Sequence, residues 1–178
     1  MRELVDVDRI RRFMRALGQE GVDGRVYFTG GATAVLLGWR ASTIDVDIRL
    51  VPEHDVLLRA IQRLKEELQL NVELASPLDF IPVPPGWEDR SAFIAREGRL
   101  SFHHFDVYAQ ALAKVERAHA QDLDDVRAMI RLGVIEPERA REYFRRIESD
   151  VYRYPAIDLA SFRARVDVAF GGDERRGG

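Results

Sequence analysis

The order of elements in residues 25–50 constrains the fold more than any other feature of this chain. The apolar run "RVYFT" predicts a short buried strand, and "GGATAVLLGW" predicts a tight turn followed by a short helix. The next run, "STIDVDIRLV", is typical of a strand but contains Asp45 and Asp47. Like charges on one strand face repel, and aspartate is depleted in strands. A strand that accepts both costs indicates a bound cation or a reaction at that place.

Helical and strand patterns alternate through the first part of the chain. Apolar residues at helical spacing predict helices over residues 6–18 and 53–69, and "VELAS" and a hairpin that turns near Glu97-Gly98 supply further strands. The stretch 77–91 contains four prolines, which oppose helix formation and interrupt strand pairing. It therefore predicts a loop over one end of the sheet.

From Gln110 onward the pattern is helical. We predict an α/β (α+β) fold with a mixed sheet of four to five strands flanked by helices, followed by a C-terminal helical segment. The predicted parts are an α/β core over residues 1–109, a helical part over 110–170 that packs on the core, and a disordered tail over 171–178.

Composition excludes several classes of protein. The chain has 178 residues, of which 46% are apolar, enough for one sizeable core. A net charge of −3 argues against a globally basic nucleic-acid binder, although local basic patches remain possible. Cysteine is absent, which excludes disulfides, thiolate zinc sites and a cysteine nucleophile. A charged N-terminus and the lack of a run of about 20 apolar residues predict a soluble cytoplasmic protein without membrane contact.

Successive strand side chains point to opposite faces, so Asp45 and Asp47 are expected to share one face while Ile44 and Val46 point into the core. Two carboxylates together with substrate phosphates suit a Mg²⁺ or Mn²⁺ ion. A solvated edge strand is the alternative explanation for the pair.

The Gly30-Gly31 step lets backbone N–H groups approach a phosphate closely, because neither residue has a Cβ. A helix that starts at Ala32 would add its positive end, and Thr33 would add a hydroxyl contact. An ordinary strand-to-helix turn is the better explanation of the glycines if they are taken alone. Their order and distance relative to the aspartates favour a binding site.

Two blocks of the sequence together resemble the minimal nucleotidyltransferases of the DNA polymerase beta superfamily, in particular a bacterial branch that includes abortive-infection-type toxins. The blocks are "GGATAVLLGWRASTIDVDIRL" and "DVYAQALAKVERAHAQDLDDVRAMI". The first supplies Gly30, Gly31, Arg40, Thr43, Asp45 and Asp47, and the second supplies Lys114, Arg117, Asp122 and Asp125. The resemblance covers roughly residues 25–135.

The resemblance implies transfer of a nucleoside monophosphate from an NTP to an acceptor hydroxyl, with Mg²⁺ or Mn²⁺ held by Asp45 and Asp47. The third metal carboxylate would be Asp106, at the end of the strand "LSFHHFDV", or an acid of the helical block, Asp125 or Asp122. Many active members have Ser where this chain has Ala32, which weakens the case for a hydroxyl contact to phosphate.

The resemblance also implies partners and binding residues. The acceptor would be a tRNA 3′ end, another RNA or a protein side chain, and a cognate antitoxin is a possible partner. The nucleotide would be held by Gly30, Gly31, Thr33, Arg40, Thr43, Lys114 and Asp122. The alternatives are a nucleotide- or partner-binding module that keeps the fold without turnover, and the toxin component of a toxin-antitoxin pair.

Lys114 lies among apolar residues, so its ammonium is expected to emerge at a boundary. A structural ion pair with Asp122 or Asp125 is an alternative to a triphosphate contact. His103 and His104 are adjacent, so they face opposite sides of a strand, which disfavours a shared zinc site.

Overall fold

The computed structural model describes residues 3–171. Within this range the helices are α1 (Val7–Gly18), α2 (Gly31–Leu37), α3 (Asp55–Glu67), α4 (Trp87–Arg90), α5 (Val107–Arg117), α6 (Ala120–Arg131), α7 (Pro137–Ile147) and α8 (Leu159–Phe170). The strands are β1 (Gly24–Thr29), β2 (Asp45–Val51), β3 (Asn71–Leu74), β4 (Phe93–Glu97) and β5 (Leu100–His104). The predicted disordered tail lies almost entirely outside the described residues.

The five strands form one mixed sheet in the order β3-β2-β1-β5-β4. Strand β1 is antiparallel to β2 and parallel to β5, β2 is parallel to β3, and β4 and β5 form the expected hairpin. The register places Thr29 opposite Asp47 and Asp45 opposite Asn71. The predicted α/β class and the mixed sheet are confirmed.

One face of the sheet packs against helices and forms the core of the α/β part. Val46 and Ile48 of β2 are fully buried there together with Phe28 and Phe102. Leu50 is also buried, and the four residues of β2 that alternate with these three are only half-buried, so the strand alternates as expected. The expectation for Ile44 is wrong, because β2 begins one residue later and the Ile44 side chain is 47% exposed.

The N-terminal segment makes hydrogen bonds to the end of α3 and to the residue Thr43 before β2. Asp6 caps α1 by accepting a hydrogen bond from the Arg9 N–H, and Arg9 in turn donates to the carbonyls that end α3. Val5 exchanges two backbone hydrogen bonds with Thr43, at 2.7 and 2.9 Å. These two bonds to the N-terminal segment fix the backbone of Thr43 just before β2 begins.

The chain divides into two compact units. The first contains the residues up to Ser76 together with Asp89–Phe105, and the second contains Pro77–Glu88 together with the chain from Asp106 onward. The sheet belongs to the first unit, and α5 to α8 belong to the second. The helical unit thus begins four residues before the expected boundary and includes part of the proline-rich stretch.

The proline-rich stretch is more ordered than the sequence predicts. A 3₁₀ turn covers Pro77–Asp79, and α4 covers Trp87–Arg90 once the prolines have ended. Trp87 is 8% exposed.

In the helical unit the aromatic rings of Phe144 and Phe162 pack edge to face at 4.9 Å. None of the helices within residues 3–171 is long and apolar enough to cross a membrane.

Candidate functional site

The Gly-Gly turn lies directly beside the second aspartate. Strand β1 ends at Thr29, which pairs with Asp47 on β2. Gly30 follows with φ of +62°, a backbone conformation that favours glycine. A Cβ at Gly30 would lie 3.0 Å from Asp47 Oδ2. The bare backbone of the turn therefore lies against a carboxylate, while its predicted contact with a phosphate stays a prediction.

Gly31 brings two further predicted residues to the same place. A Cβ at Gly31 would overlap the Thr43 hydroxyl and would lie 3.3 Å from an Arg40 Nη1. Thr43 is buried, and its hydroxyl donates to the Asp45 carbonyl at 3.1 Å. The turn, a guanidinium, a hydroxyl and the strand with both aspartates thus converge within the first unit. We call this group the glycine cradle: Gly30, Gly31, Arg40, Thr43, Asp45 and Asp47.

Helix α2 starts at Gly31, one residue earlier than expected, and has seven residues. A helix of two turns has a weak macrodipole, so the backbone and side chains of the cradle matter more here than the helix end.

Thr33 lies away from this cradle. Its side chain is fully buried, and its hydroxyl bonds the Phe28 carbonyl at 3.3 Å and His104 Nδ1 at 3.1 Å. A fully buried hydroxyl offers no surface to a phosphate, so the geometry does not support the expected contact. Burial lowers the pKa of His104 to about 4, which keeps this imidazole neutral at physiological pH.

His103 and His104 face opposite sides of β5, as predicted. His103 contacts Ser91 and Ser101, and its ring stacks on Tyr27 at 5.3 Å. Burial lowers the pKa of His103, an effect that the hydrogen bond from its ring to the Ser91 carbonyl partly opposes and the charge of Arg25 reinforces.

Asp106 is a helix cap in the second unit. It is 1% exposed, its Oδ1 accepts from the Tyr108 N–H at 3.1 Å, and its Oδ2 accepts from the Tyr143 hydroxyl at 3.1 Å. Both carboxylate oxygens therefore have a structural partner, which accounts for this buried charge without a metal. Its predicted role as a metal ligand stays a prediction.

The second motif block forms a buried ion cluster on α5 and α6. The Lys114 ammonium lies 2.7 Å from Asp125 Oδ2 and 3.9 Å from Asp122 Oδ1. Lys114 is only 5% exposed, so the expectation that its ammonium emerges at a boundary is wrong. The expected ion pair with Asp125 is present, and Gln121 also donates to Asp125 at 3.4 Å.

Arg117 completes this cluster from its exposed edge. Its guanidinium donates two hydrogen bonds to Asp122, at 2.8 and 2.6 Å, and the His119 N–H adds a third at 3.2 Å. Burial alone would raise the pKa of Asp122. The bonds and charge of Arg117, the charge of Lys114 and the His119 N–H outweigh burial, so the pKa of Asp122 lies below its ordinary value.

Two residues of the site were not predicted from the sequence. Asn71 and Glu73 lie on β3 opposite Asp45 and Asp47, and the buried Val72 between them places both on the face of the aspartates. The alternation of "NVE" on the strand after α3 was the available signal. Its use required knowledge that β3 pairs with β2.

The cradle suits a hard divalent cation by its donor chemistry. Asp45 and Asp47 offer carboxylate oxygens from one strand face, and a missing Cβ leaves the backbone of Gly30 against one of them. Within residues 3–171, however, no three acidic or imidazole side chains come close enough together to enclose a metal. Such a site would need oxygen ligands from water or a phosphate, which is the usual environment of Mg²⁺.

Comparison with known proteins places these features in a family. A family model described as a nucleotidyltransferase of unknown function (DUF6036) matches residues 5–158 of the chain. No curated protein and no solved structure matches the chain. The matched range includes both the glycine cradle and the Lys114 cluster, so the expected likeness to nucleotidyltransferases holds at the level of the family. The narrower assignment to the toxin-containing branch stays a prediction. The chain belongs to this family of nucleotidyltransferases of unknown function.

Proposed function

We propose that this protein transfers a nucleoside monophosphate from an NTP to an acceptor hydroxyl. The observation that carries the proposal is the glycine cradle, in which the backbone of Gly30 and Gly31 lies against Asp47, Thr43 and Arg40. Backbone N–H groups and a guanidinium suit phosphate oxygens, while the carboxylates suit a cation bound to those phosphates. The family supports the general activity, and the substrates are part of this proposal.

The reaction is a substitution at the α-phosphorus. The acceptor oxygen forms a bond to that phosphorus, the bond to the oxygen that bridges to the β-phosphate breaks, and pyrophosphate leaves with the electron pair. The hydroxyl proton is released. Mg²⁺ or Mn²⁺ bound by Asp45 and Asp47 would lower the pKa of the attacking hydroxyl and offset the charge of the leaving group.

The protein's own contribution is to hold the reactants in place. In this proposal Arg40 and the Gly30-Gly31 backbone orient the triphosphate, and Thr43 fixes the start of β2 through its bond to the Asp45 carbonyl. Such positioning is the main source of rate enhancement in phosphoryl and nucleotidyl transfer.

The Lys114 cluster forms a second part of the proposal. A buried ion pair costs several kcal/mol of desolvation per ion, so its presence alone is weak evidence of a stabilising role. We assign Lys114 to the triphosphate, with Asp125 and Asp122 keeping its side chain ordered. The support is the resemblance of the second motif block.

A second candidate is nucleotide binding without turnover. The observation that favours it is that no cluster of three metal-binding acids forms within residues 3–171. Two acids without a third favour binding of a metal–nucleotide complex over catalysis.

Labelled nucleotides distinguish the two candidates. The purified protein is incubated with Mg²⁺, total cellular RNA and each NTP carrying the label at either the α- or the γ-phosphate. Nucleotidyl transfer moves the α-label onto an acceptor and releases the γ-label as pyrophosphate. Saturable NTP binding without movement of either label would favour the binding module.

A further inference from the structure

We propose that Asn71 is a positioning residue that orients Asp45 for the cation of this site. This inference rests on the proposed function, because it assigns Asp45 to a metal–nucleotide complex. It adds a residue outside both motif blocks, on a strand that sequence patterns did not connect to the site.

The geometry connects three side chains across two parallel strands. Asn71 Nδ2 donates to Asp45 Oδ1 at 2.5 Å and to Glu73 Oε1 at 3.1 Å. In the β2–β3 register, Asp45 lies opposite Asn71 and Asp47 opposite Glu73. One amide group thus bridges a carboxylate of each strand.

The orientation of the amide follows from its partners. Ionised carboxylates only accept hydrogen bonds, so the NH₂ group must face both Asp45 and Glu73. The two hydrogens of Nδ2 suffice for two bonds. An amide oxygen in this place would face two negative oxygens and would be repelled.

Electrostatics explain why an amide is needed here. Asp45, Asp47 and Glu73 place three like charges on adjacent positions of one sheet face. Asparagine is itself depleted in strands, so propensity does not account for Asn71 at the start of β3. Its two charge-assisted hydrogen bonds offset repulsion and hold the Asp45 carboxylate in one plane.

Hydrogen bonds to metal-binding carboxylates tune the affinity of a site, and their loss typically costs about 10- to 100-fold in metal affinity or activity. We therefore expect Asn71→Ala to raise the Mn²⁺ concentration for half-saturation about tenfold, measured by electron paramagnetic resonance. Asn71→Gln keeps the NH₂ group on a longer stem and should recover part of the loss. Gln62→Ala, which removes an exposed amide on α3, is the matched control and should bind Mn²⁺ like the wild type.

The bonds themselves can be observed without activity. Asn71 is the only asparagine of the chain, so selective ¹⁵N-asparagine labelling gives one side-chain NH₂ pair in a correlation spectrum. Glu73→Gln should shift one proton of this pair and Asp45→Ala the other. If neither variant shifts the pair, the bridge is absent and the proposal is overturned.

The outcomes separate this inference from the proposed function. If the wild type transfers nucleotides and Asn71→Ala binds Mn²⁺ as tightly as the wild type, only the inference is refuted. If the wild type binds no Mn²⁺ and transfers no label, both are refuted. Tenfold weaker Mn²⁺ binding in Asn71→Ala, with partial recovery in Asn71→Gln, supports the inference.

Discussion

Gly31→Ala is the most informative single change in the glycine cradle. The added methyl group would overlap the Thr43 hydroxyl and would lie 2.7 Å from Thr43 Cβ. Thr43 yields little, because two backbone hydrogen bonds tie it to Val5. Forced packing of this kind costs about 1–3 kcal/mol, and the higher helix propensity of alanine returns up to about 1 kcal/mol.

We therefore expect Gly31→Ala to lower the free energy of unfolding by about 1–2 kcal/mol in a urea titration. The stronger effect should be on NTP affinity, because the methyl group displaces both Thr43 and Arg40 from the backbone that is proposed to hold phosphates. A thermal-shift titration with NTP and Mg²⁺ measures this loss separately from stability.

Gly24→Ala is the matched control. A Cβ there would make ordinary contacts, with the Val51 carbonyl at 3.4 Å and a Leu100 methyl at 3.5 Å. It should leave both stability and NTP affinity close to the wild type. Thr43→Ala added to Gly31→Ala removes the closest clashing atom and should recover part of the stability. If Gly31→Ala binds NTP as tightly as Gly24→Ala, the cradle does not hold the nucleotide.

Three further predictions concern the ion cluster, the buried histidine and the aspartates. Lys114→Met should lower the free energy of unfolding by about 3–5 kcal/mol, because it leaves Asp125 buried without its cation. Adding Asp125→Leu should restore most of that stability, so an NTP affinity that stays low in the double variant supports a nucleotide role for Lys114, and a restored affinity contradicts it. The depressed pKa of His104 means that the unfolded chain takes up a proton below about pH 6.5 while the folded chain does so only near pH 4. The free energy of unfolding should therefore fall by up to about 3 kcal/mol as the pH is lowered from about 6.5 to about 4. His104→Asn should remove that part of the pH dependence in urea titrations at several pH values. Asp45→Asn with Asp47→Asn should change the metal-free free energy of unfolding by less than about 1 kcal/mol, because both side chains are half-buried and their mutual repulsion is relieved. A larger loss in the same titration would show that these aspartates are structural.

The predictable part of the structure follows from local periodicity. The alternation of β2 and the turn at Gly30 between β1 and α2 depend on neighbouring residues only, and both appear as expected. Ile44 was misplaced because the strand starts at Asp45, and strand ends are set by pairing with other strands. For the same reason the place of Asn71 and Glu73 in the site was not predicted, because they lie opposite the aspartates only when β3 pairs with β2.

The sequence also did not predict how deeply individual polar side chains are buried. Lys114 and Thr33 both have polar groups that suit phosphate, yet one is enclosed by carboxylates and the other is bonded to His104. Packing between helices decides such cases, and a one-dimensional pattern does not contain it. The place of the Gly30 turn beside the strand of Asp45 and Asp47 could be predicted, because the backbone of such a turn and the side chains of a strand end need no distant partner to take up their positions.

Transfer of label from an α-labelled NTP by the wild type and by Asp45→Asn/Asp47→Asn tests the central claim most directly. Asp124→Asn is the matched control, because this carboxylate is 68% exposed and pairs with Arg127 on the surface of α6. The account predicts label transfer by the wild type and by Asp124→Asn, and none by the double variant at any Mg²⁺ concentration. Transfer by the double variant at the rate of the wild type would contradict the account.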